Sequence, residues 1–450
     1  MKILSRMKAR SAPTPELAEE ESGDEDWDTD LEDEDSTNMH DTSGRTAYRE
    51  VCERLGVVPV SYFTRHISDQ QLTMRYHGLG PVGTKAIAKV LRANVHIEKL
   101  NLAGNWMEAI GGIHIAHMLL ENEYISELNL SDNKLGSVGG YHVAKTLNVN
   151  TALRHVDLAG NGFAETDAEY FAGVLEQNKF LKSLNISRNR FGEMSGLRMG
   201  PAIGTNDVLE HLDLSWNEIR REGAVSVARG LKENIRIKTC NLSWNGFGPE
   251  GGAALADAIA TNEALIELDI SGNRLDIQSA LLIAKAISTN EQLQILRIGN
   301  NPISTMGCIA LAKSIKESEV SILTCLDLKD IPVEYEFLAI VDEIRKKRPD
   351  FEVVYGSVMR SGNTPEDIGK RAVDPSAPKD PLLVLQEHLI VNDTRILDIL
   401  AKFDPDDTKN VTPEQFTSAL EELGVPYTKE QLDDIAKKLG KNEDGMIYYG

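Results

Sequence analysis

A pattern of the form L-x-L-x-x-N recurs along this chain with a fixed step of 28 residues. It runs in one frame from residues 100–105 (LNLAGN) to residues 296–301 (LRIGNN). One step earlier, residues 72–77 (LTMRYH) fit the same frame with His in the place of Asn. Nine units are therefore in register without an inserted residue, which predicts an architecture of stacked repeats.

Each unit contains two kinds of apolar spacing. Alternating apolar residues at its start predict a short strand, and the later spacing of Ile87, Ala88 and Leu91 predicts a helix. One strand and one helix cannot bury their own apolar faces, so the units must stack. We therefore predict an α/β solenoid with a parallel sheet inside and helices outside. The Asn after each strand is predicted to bond the turning backbone.

This pattern resembles the ribonuclease-inhibitor-like class of leucine-rich repeats over about residues 70–355. The resemblance implies a horseshoe with an exposed concave sheet. Ribonuclease inhibitors of that class are rich in cysteine, whereas this chain has only four Cys. Inhibition of ribonucleases is therefore not carried over.

Composition narrows the class of protein. The net charge of -22 argues against nucleic-acid binding, which needs a basic surface. Four scattered Cys without a metal-site or disulfide spacing favour a reducing, intracellular location, and we expect a cytoplasmic protein. No secretion signal and no run of 18 apolar residues is found, so no membrane association is expected.

Shifts in composition predict the division of the chain. The predicted segments are a disordered acidic tail (1–45), an N-terminal cap (46–71), nine 28-residue repeats (72–320), a C-terminal cap (321–355), a linker (356–381) and an EF-hand-like helical module (382–450). Within the tail, residues 16–35 hold thirteen Asp or Glu and no Lys or Arg. Trp27 and Leu31 lie among these acids, so the segment is either a solvating tail or a ligand for a basic groove.

The fifth unit departs from the pattern of the others. Its helix carries Gly200 at the position where the other helices have Ala, and Pro201 follows it. An interior Pro costs about 3 kcal/mol of helix stability. We expect a shortened or kinked helix there, either as a tolerated irregularity or as a hinge.

A partial EF-hand loop lies in the C-terminal module, in the sequence FDPDDTKNVTPEQF. The residues at its ligand positions 1, 3, 5, 7 and 9 are Asp404, Asp406, Thr408, Asn410 and Thr412. Position 6 is Lys409 in place of Gly, and position 12 is Gln415 in place of the bidentate Glu. Calcium is therefore expected to bind weakly or not at all, and no other cofactor is indicated.

A second, similar loop begins near Gly440, and the chain ends before its twelfth position. This ending suggests a shorter form of a longer polypeptide. Repeats followed by a degenerate pair of EF-hands resemble the leucine-rich repeat-containing protein 74 group, a resemblance that implies little about activity.

Polar residues of the predicted concave face form the candidate binding surface. One inward row reads Asn101, Asn129, Asp157, Asn185, Asp213, Asn241, Asp269 and Arg297. A second row places Arg188, Trp216 and Trp244 on successive units, with His211 and Asp213 alongside. Strands lie about 4.8 Å apart, so the two indoles are expected to stack. They either pack only on each other or form a hot spot for a partner.

These residues predict a non-catalytic scaffold, expected to be a monomer, that binds an unidentified protein on its concave face. The sequence contains no P-loop, G-x-S-x-G or H-E-x-x-H motif, so we do not expect an enzyme. One alternative is a calcium-responsive adaptor that acts through the EF-hand-like module. Another is a GTPase activator, because Ran-activating proteins share this repeat class and an acidic segment.

Overall fold

The computed structural model describes residues 44–359, 400–404, 409–422 and 446–448. Most of the predicted linker (356–381), of the predicted acidic tail (1–45) and of the C-terminal module lies outside these ranges. The first four linker residues are described, and two of them, Val358 and Met359, form a strand that pairs with residues 333–334. Two units are distinguished, residues 1–361 and 362–450, and each is described by itself.

Strands and helices alternate through the first unit. The strands are β1 (Gln71–Thr73), β2 (Lys99–Asn101), β3 (Glu127–Asn129), β4 (His155–Asp157), β5 (Ser183–Asn185), β6 (His211–Asp213), β7 (Thr239–Asn241), β8 (Glu267–Asp269), β9 (Ile295–Arg297), β10 (Cys325–Leu328), β11 (Val333–Glu334), β12 (Glu352–Tyr355) and β13 (Val358–Met359). The helices are α1 (Arg45–Leu55), α2 (Ser61–His66), α3 (Gly80–Leu91), α4 (Glu108–Glu121), α5 (Gly136–Val149), α6 (Ala168–Gln177), α7 (Glu193–Thr205), α8 (Arg221–Glu233), α9 (Gly248–Thr261), α10 (Ile277–Ile287), α11 (Ser304–Glu317) and α12 (Tyr335–Lys347).

The strands form one parallel sheet of eleven, in the order β1 to β10 and then β12. From β1 to β9, each residue pairs with the residue 28 positions further on, as Leu72 does with Leu100. The middle residue of every one of these strands is buried, and its two neighbours are exposed or half-buried. One face of the sheet therefore packs on the helices, and the other is open. The predicted leucine-rich-repeat solenoid is confirmed.

The asparagine ladder is the row of eight buried Asn that follow the strands: Asn105, Asn133, Asn161, Asn189, Asn217, Asn245, Asn273 and Asn301. Asn161 is typical of the row. Its Nδ2 donates to the carbonyls of Leu130, Leu158 and Ala159, at 3.0, 2.9 and 3.3 Å. Its Oδ1 accepts the backbone N–H groups of Asn133 and Leu135. Each side chain thus bonds its own turn and the preceding one, as predicted.

A second row of Asn satisfies the backbone where the helices end. Asn122 donates from Nδ2 to the carbonyl of Leu91 at 2.7 Å, and its Oδ1 accepts the N–H groups of Tyr124 and Ile125. The same pattern recurs at Asn150, Asn178, Asn206, Asn234, Asn262 and Asn290. These bonds join the carboxyl ends of successive helices, where the sequence predicted that the helices end.

Both ends of the repeat array are closed by apolar elements. At the N-terminal end, α1 and α2 bury Tyr48 and Phe63, whose ring centroids are 4.4 Å apart. Helix α1 begins at Arg45, which corrects the predicted end of the tail by one residue. At the other end, β10, α12 and β12 continue the strand-helix-strand order, and Phe351 is buried against them.

The expectation of a shortened helix in the fifth unit is wrong. Helix α7 runs for 13 residues with Pro201 inside it, and the Pro ring faces solvent. The glycines allow α7 to approach α8 closely: a Cβ on Gly200 would lie 2.4 Å from the carbonyl oxygen of Ser226. A Cβ on Gly230 would lie 2.0 Å from the carbonyl oxygen of Gly200. Close packing of two backbones therefore holds a helix that propensity alone disfavours.

In the second unit, the described elements are a short 3-10 helix (Ala401–Phe403), β14 (Asn410–Val411), α13 (Pro413–Glu422) and β15 (Ile447–Tyr448). Strands β14 and β15 pair antiparallel, with Val411 opposite Ile447. Two chain segments that are about 36 residues apart in sequence therefore meet.

Candidate functional site

The third residue of each strand from β2 to β9 forms the strand row: Asn101, Asn129, Asp157, Asn185, Asp213, Asn241, Asp269 and Arg297. It lies on the open face, as predicted. In the seven Asn and Asp members, a side-chain oxygen accepts the backbone N–H two residues later, as Asp157 does from Ala159 at 3.0 Å. Asn129 also donates to Asp157, and Asn241 donates to Asp213. Much of this row therefore stabilises the turns.

Two carboxyls of the strand row are perturbed by their surroundings. Burial raises the pKa of Asp157, while the Ala159 N–H and the nearby Arg188 oppose that rise. Burial likewise raises the pKa of Asp269, against the hydrogen bonds from Ser271. Burial therefore disfavours the ionised form of both carboxyls. This shift follows from their position in the sheet and does not by itself indicate a catalytic role.

A different row lies one residue before the asparagine ladder. This turn row consists of Tyr76, Gly104, Asp132, Gly160, Arg188, Trp216, Trp244, Gly272 and Asn300. All nine residues have a left-handed backbone, with φ between 54° and 70°. A side chain in that conformation costs roughly 1 kcal/mol relative to Gly. The fold requires the backbone conformation here and leaves the choice of side chain open.

Three large side chains of the turn row each lie over a Gly of the next unit. A Cβ on Gly104 would fall 2.2 Å from Cδ1 of Tyr76, and a Cβ on Gly272 would fall 2.8 Å from Cδ2 of Trp244. Asp132 lies over Gly160 in the same way, because a Cβ on Gly160 would fall 2.2 Å from Oδ1 of Asp132. These side chains therefore cover backbone, which gives Trp244 a structural role.

Trp216 lacks such a Gly neighbour, because the next position of the row is Trp244. The two rings stack instead, with centroids 4.6 Å apart and an angle of 16° between their planes. The predicted stacking is confirmed. Trp216 remains 54% exposed and Trp244 42% exposed. The structure thus holds a two-indole platform on the surface.

Arg188 precedes Trp216 in the turn row and is held by a carboxylate. Its Nη2 lies 3.0 Å from Oδ2 of Asp132, two units away, so the ion pair spans Gly160. The guanidinium is half-exposed, which leaves donors available at the surface. Arg188, Trp216 and Trp244 therefore stand in succession at the carboxyl end of the sheet.

His211 and Asp213 lie beside this row and not in it. Both lie on strand β6, whereas Trp216 lies in the turn three residues after that strand ends. The His211 ring nitrogen Nδ1 is 2.6 Å from Oγ1 of Thr239. Asp213 accepts hydrogen bonds from the Ser215 N–H and from Asn241. The three-residue length of the strand separates the two groups of residues, because the chain turns sharply directly after Asp213.

Sequence analysis missed another exposed indole on the same edge. Trp106 follows the ladder residue Asn105, has a φ of 57° and is 59% exposed. Nζ of Lys134, which occupies the same position one unit later, lies 3.7 Å from the centroid of the Trp106 ring. Cation–π contacts of this kind contribute about 0.5–1 kcal/mol at exposed sites. The 28-residue step was the available signal, because it relates positions 106 and 134.

Glu210 directly precedes strand β6 and lies between the lysines that precede β5 and β7. Its carboxylate contacts Lys238 at 2.6 Å and Lys182 at 3.2 Å. Hydrogen bonds from these two lysines lower the pKa of Glu210 to about 2. Arg236 also lies 3.7 Å from this carboxylate, so Glu210 neutralises the three surrounding cations only in part.

Of the predicted calcium ligands, Asp404, Asn410 and Thr412 lie in the described part of the second unit, and Asp406 and Thr408 lie outside it. Asp404 is buried, and its Oδ2 accepts the N–H of Lys409 at 2.7 Å. Lys409 takes the left-handed conformation, with φ 60°. Gln415 Oε1 accepts the N–H of Thr412 at 2.8 Å, and its Nε2 donates to the carbonyl of Phe403 at 3.1 Å. Thus Gln415 caps α13.

Among the described residues, no helix combines the length and the hydropathy needed to span a bilayer. In the same ranges, no three His, Cys, Asp or Glu side chains converge as a group that could hold a metal ion.

Known proteins resemble parts of this chain. Residues 93–116, 121–144, 205–228 and 237–256 match the family model described as Leucine Rich repeat. An 84-residue stretch, 18% of this chain, is 38% identical to leucine-rich repeat-containing protein 74B of Homo sapiens and covers 21% of it. The Mus musculus protein of the same name is 36% identical over 96 residues, 20% of this chain and 25% of its own length.

The matched stretches thus span only about a fifth to a quarter of these relatives. Among solved structures, the leiomodin-1 actin-binding site 2 (ABS2) aligns with 28% of this chain and 76% of its own length. Its sequence identity is 20% and its TM-score is 0.23, which is too low to bear on fold or function. The two sequence matches relate about a fifth of this chain to leucine-rich repeat-containing protein 74B.

Proposed function

We propose that this leucine-rich repeat chain is a non-catalytic scaffold that binds a protein partner at the carboxyl edge of its sheet, through Trp216 and Trp244. The observation that carries the proposal is the stacked, half-exposed pair of indoles in a row where the fold asks only for a left-handed backbone. Repeats of this class are typical of protein-binding scaffolds.

The energetic cost of the two indoles supports a role beyond packing. Each left-handed Trp costs roughly 1 kcal/mol relative to Gly, and a stacked aromatic pair returns about 0.5–1.5 kcal/mol. Gly104, Gly160 and Gly272 occupy the same row without that cost. The exposed outer faces of the rings are the part that packing leaves unexplained, and exposed Trp is enriched among binding hot spots.

The residues around the indole pair suit a partner that offers both hydrogen-bond acceptors and apolar or cationic side chains. Arg188 offers donors beside the rings, so a carboxylate or a backbone carbonyl of the partner can bind there. His211 and Asp213 on β6 would extend the contact onto the open face of the sheet, as the sequence predicted. Apolar or cationic partner side chains fit the faces of the indoles.

The test replaces both indoles without disturbing the turn. Trp216→Asn/Trp244→Asn is preferred to alanine, because Asn300 already occupies this row with φ 55° and Asn tolerates the conformation. Partners captured from lysate by the wild-type chain and by the variant are quantified by mass spectrometry. We expect a set of partners to be lost from the variant while its circular dichroism stays unchanged.

A matched control is Tyr76→Asn, which removes an exposed aromatic residue from the far end of the same row. Partners that depend on Trp216 and Trp244 and withstand Tyr76→Asn support the proposal. Capture that is equal for the wild type and the double variant contradicts it, and loss in both variants would extend the surface along the whole row.

For the second unit we propose a structural, EF-hand-like module that does not depend on calcium. The pairing of Val411 with Ile447, the left-handed Lys409 and the bond from its N–H to Asp404 support a paired loop. Both polar atoms of Gln415 are engaged in hydrogen bonds, Oε1 with the Thr412 N–H and Nε2 with the Phe403 carbonyl, which argues against the calcium-responsive adaptor. Calorimetric binding of calcium tighter than about 10 μM would reverse this preference.

A further inference from the structure

The N-terminal cap and the first repeat enclose a groove beside the point where the described chain begins. This N-terminal groove has a volume of about 590 Å³, within the range of about 300–1,000 Å³ that is typical of ligand sites. Helix α1 and the carboxyl end of α3 form its walls. Gly44, the first described residue, is one of its lining residues.

The lining of the N-terminal groove combines an apolar floor with cations. Val51, Val90 and Val95 supply the apolar part, and Val95 is 50% exposed. Arg54, Lys89 and Arg92 supply three cations, against the carboxylates of Glu50 and Glu121. Arg92 and Glu121 form an ion pair with each other. The lining of the groove therefore holds one more cation than carboxylates, in a chain whose net charge is -22.

We propose that the N-terminal groove binds the chain's own acidic segment, residues 16–35. That segment holds thirteen Asp or Glu and no Lys or Arg, which complements the cations of the groove. Trp27 and Leu31, two of the large apolar residues among its acids, match the valine floor. The inference concerns a surface distinct from the indole pair and stands independently of the proposed function.

Chain length permits this contact. Eight residues, 36–43, separate the acidic segment from Gly44, and eight extended residues span at most about 28 Å. Because Gly44 itself lines the groove, a connection of this length allows the acids to reach Arg54 and Lys89. A tethered ligand of this kind acts at an effective concentration in the millimolar range, so a weak intrinsic affinity suffices.

The experiment uses a fluorescent peptide with the sequence of residues 16–35, added to the full-length chain. The full-length chain carries the substitutions Trp27→Ser/Leu31→Ser, which weaken the binding of its own acidic segment and so reduce competition with the added peptide. We expect the peptide to bind this chain more tightly than the wild type, in which the intact segment occupies the groove. We also expect salt to weaken binding, because the Debye length falls from about 10 Å at 0.1 M to about 3 Å at 1 M.

Charge reversal locates the binding site. Arg54→Glu/Lys89→Glu in the receiving chain is expected to weaken peptide binding by about tenfold or more. The matched control, Lys346→Glu/Lys347→Glu, makes the same change of charge on exposed residues of α12. It is expected to leave binding unchanged. Val95→Ser, at a half-exposed position, tests the apolar floor without introducing a charge and is expected to weaken binding.

Three outcomes would overturn the proposal. The first is that the peptide does not bind the full-length Trp27→Ser/Leu31→Ser variant. The second is an equal loss of binding in the two charge-reversal variants, which would mean attraction by net charge alone. The third is equal binding to the wild type and to Trp27→Ser/Leu31→Ser, which would mean that the intact chain does not occupy its groove. Circular dichroism of each variant separates a loss of binding from a loss of folding.

Discussion

The asparagine ladder and the turn row run side by side along the sheet, one residue apart in every unit, yet their side chains differ in kind. From the second unit to the ninth, the ladder holds the same residue eight times, and each copy is buried. The turn row holds Tyr, Gly, Asp, Arg, Trp and Asn in one common backbone conformation. The difference shows where the fold constrains chemistry: the ladder must supply an amide, whereas the turn row must supply only a positive φ.

Unit four allows this comparison to be tested within a single turn, because Asp157, Gly160 and Asn161 represent the strand row, the turn row and the ladder. The largest effect is expected at the ladder. Asn161→Ala removes three hydrogen bonds to backbone carbonyls and two from backbone N–H groups. The Leu130 and Leu158 carbonyls keep the bonds from Asn133 and Asn189, whereas the Ala159 carbonyl and both N–H groups lose their side-chain partner. We expect the free energy of unfolding to fall by about 3 kcal/mol or more, measured by urea denaturation.

The same chemical change on the strand row serves as the control. Asn185→Ala removes a half-exposed amide whose oxygen accepts the Ser187 N–H, and water can replace that bond. We expect a loss of about 1 kcal/mol or less. Equal losses at Asn161 and Asn185 would remove the distinction between the ladder and the rows beside it.

The next largest effect is expected for Gly160→Ala in the turn row. The new Cβ would meet Oδ1 of Asp132 at 2.2 Å, in a backbone with φ 67°. We expect destabilisation of about 1–2 kcal/mol, because the left-handed conformation is strained and the Asp132–Arg188 pair is displaced. Urea denaturation of the variant measures the loss.

Gly173→Ala is the contrasting control, since it lies within helix α6. Only Asn148 Nδ2, at 3.9 Å, is near its missing Cβ. The same substitution should therefore stabilise there, by up to about 1 kcal/mol. A Gly160→Ala variant as stable as the wild type would show that the turn row tolerates any residue.

A smaller effect on stability is expected for Trp216→Asn. The loss of the stack costs about 1 kcal/mol, while Asn in a left-handed turn recovers part of that. We expect the unfolding free energy to change by less than about 1 kcal/mol, as measured by urea denaturation. A loss as large as that of Asn161→Ala would mean that the indole pair is a structural element and not an exposed platform.

The smallest effect is expected for Asp157→Asn, and it depends on pH. Burial raises the pKa of Asp157 above its ordinary value of 3.8. A raised folded-state pKa means that the contribution of Asp157 to stability falls as the pH rises through the window that begins near 3.8. The Asn variant lacks this loss, so at pH 7 it should equal or exceed the wild type by less than about 1 kcal/mol.

Denaturation at pH 3 and at pH 7 checks this prediction, because the advantage of Asn should be absent at the lower pH. Asn185 and Asn241 already occupy equivalent positions of the strand row, so the substitution is compatible with the fold. A variant that is less stable than the wild type at pH 7 would show that the carboxylate is needed for the bond with Asn129.

The sequence by itself determined the order of strand and helix, the buried face of each strand, the register and the stacking of Trp216 on Trp244. Register follows from an unbroken 28-residue step, because parallel strands in equal units place equivalent residues side by side. The role of the ladder followed equally, since a buried turn backbone needs an amide partner.

Only the tertiary structure decided which residues are left-handed, which glycines lie under a neighbouring side chain, and that α7 keeps its length despite Pro201. It also separated His211 from Trp216, because the strand ends at Asp213 and the chain turns. These features depend on contacts between units. A pattern read along one chain records which residues recur, whereas the distance between two backbones is set by the packing of neighbouring units.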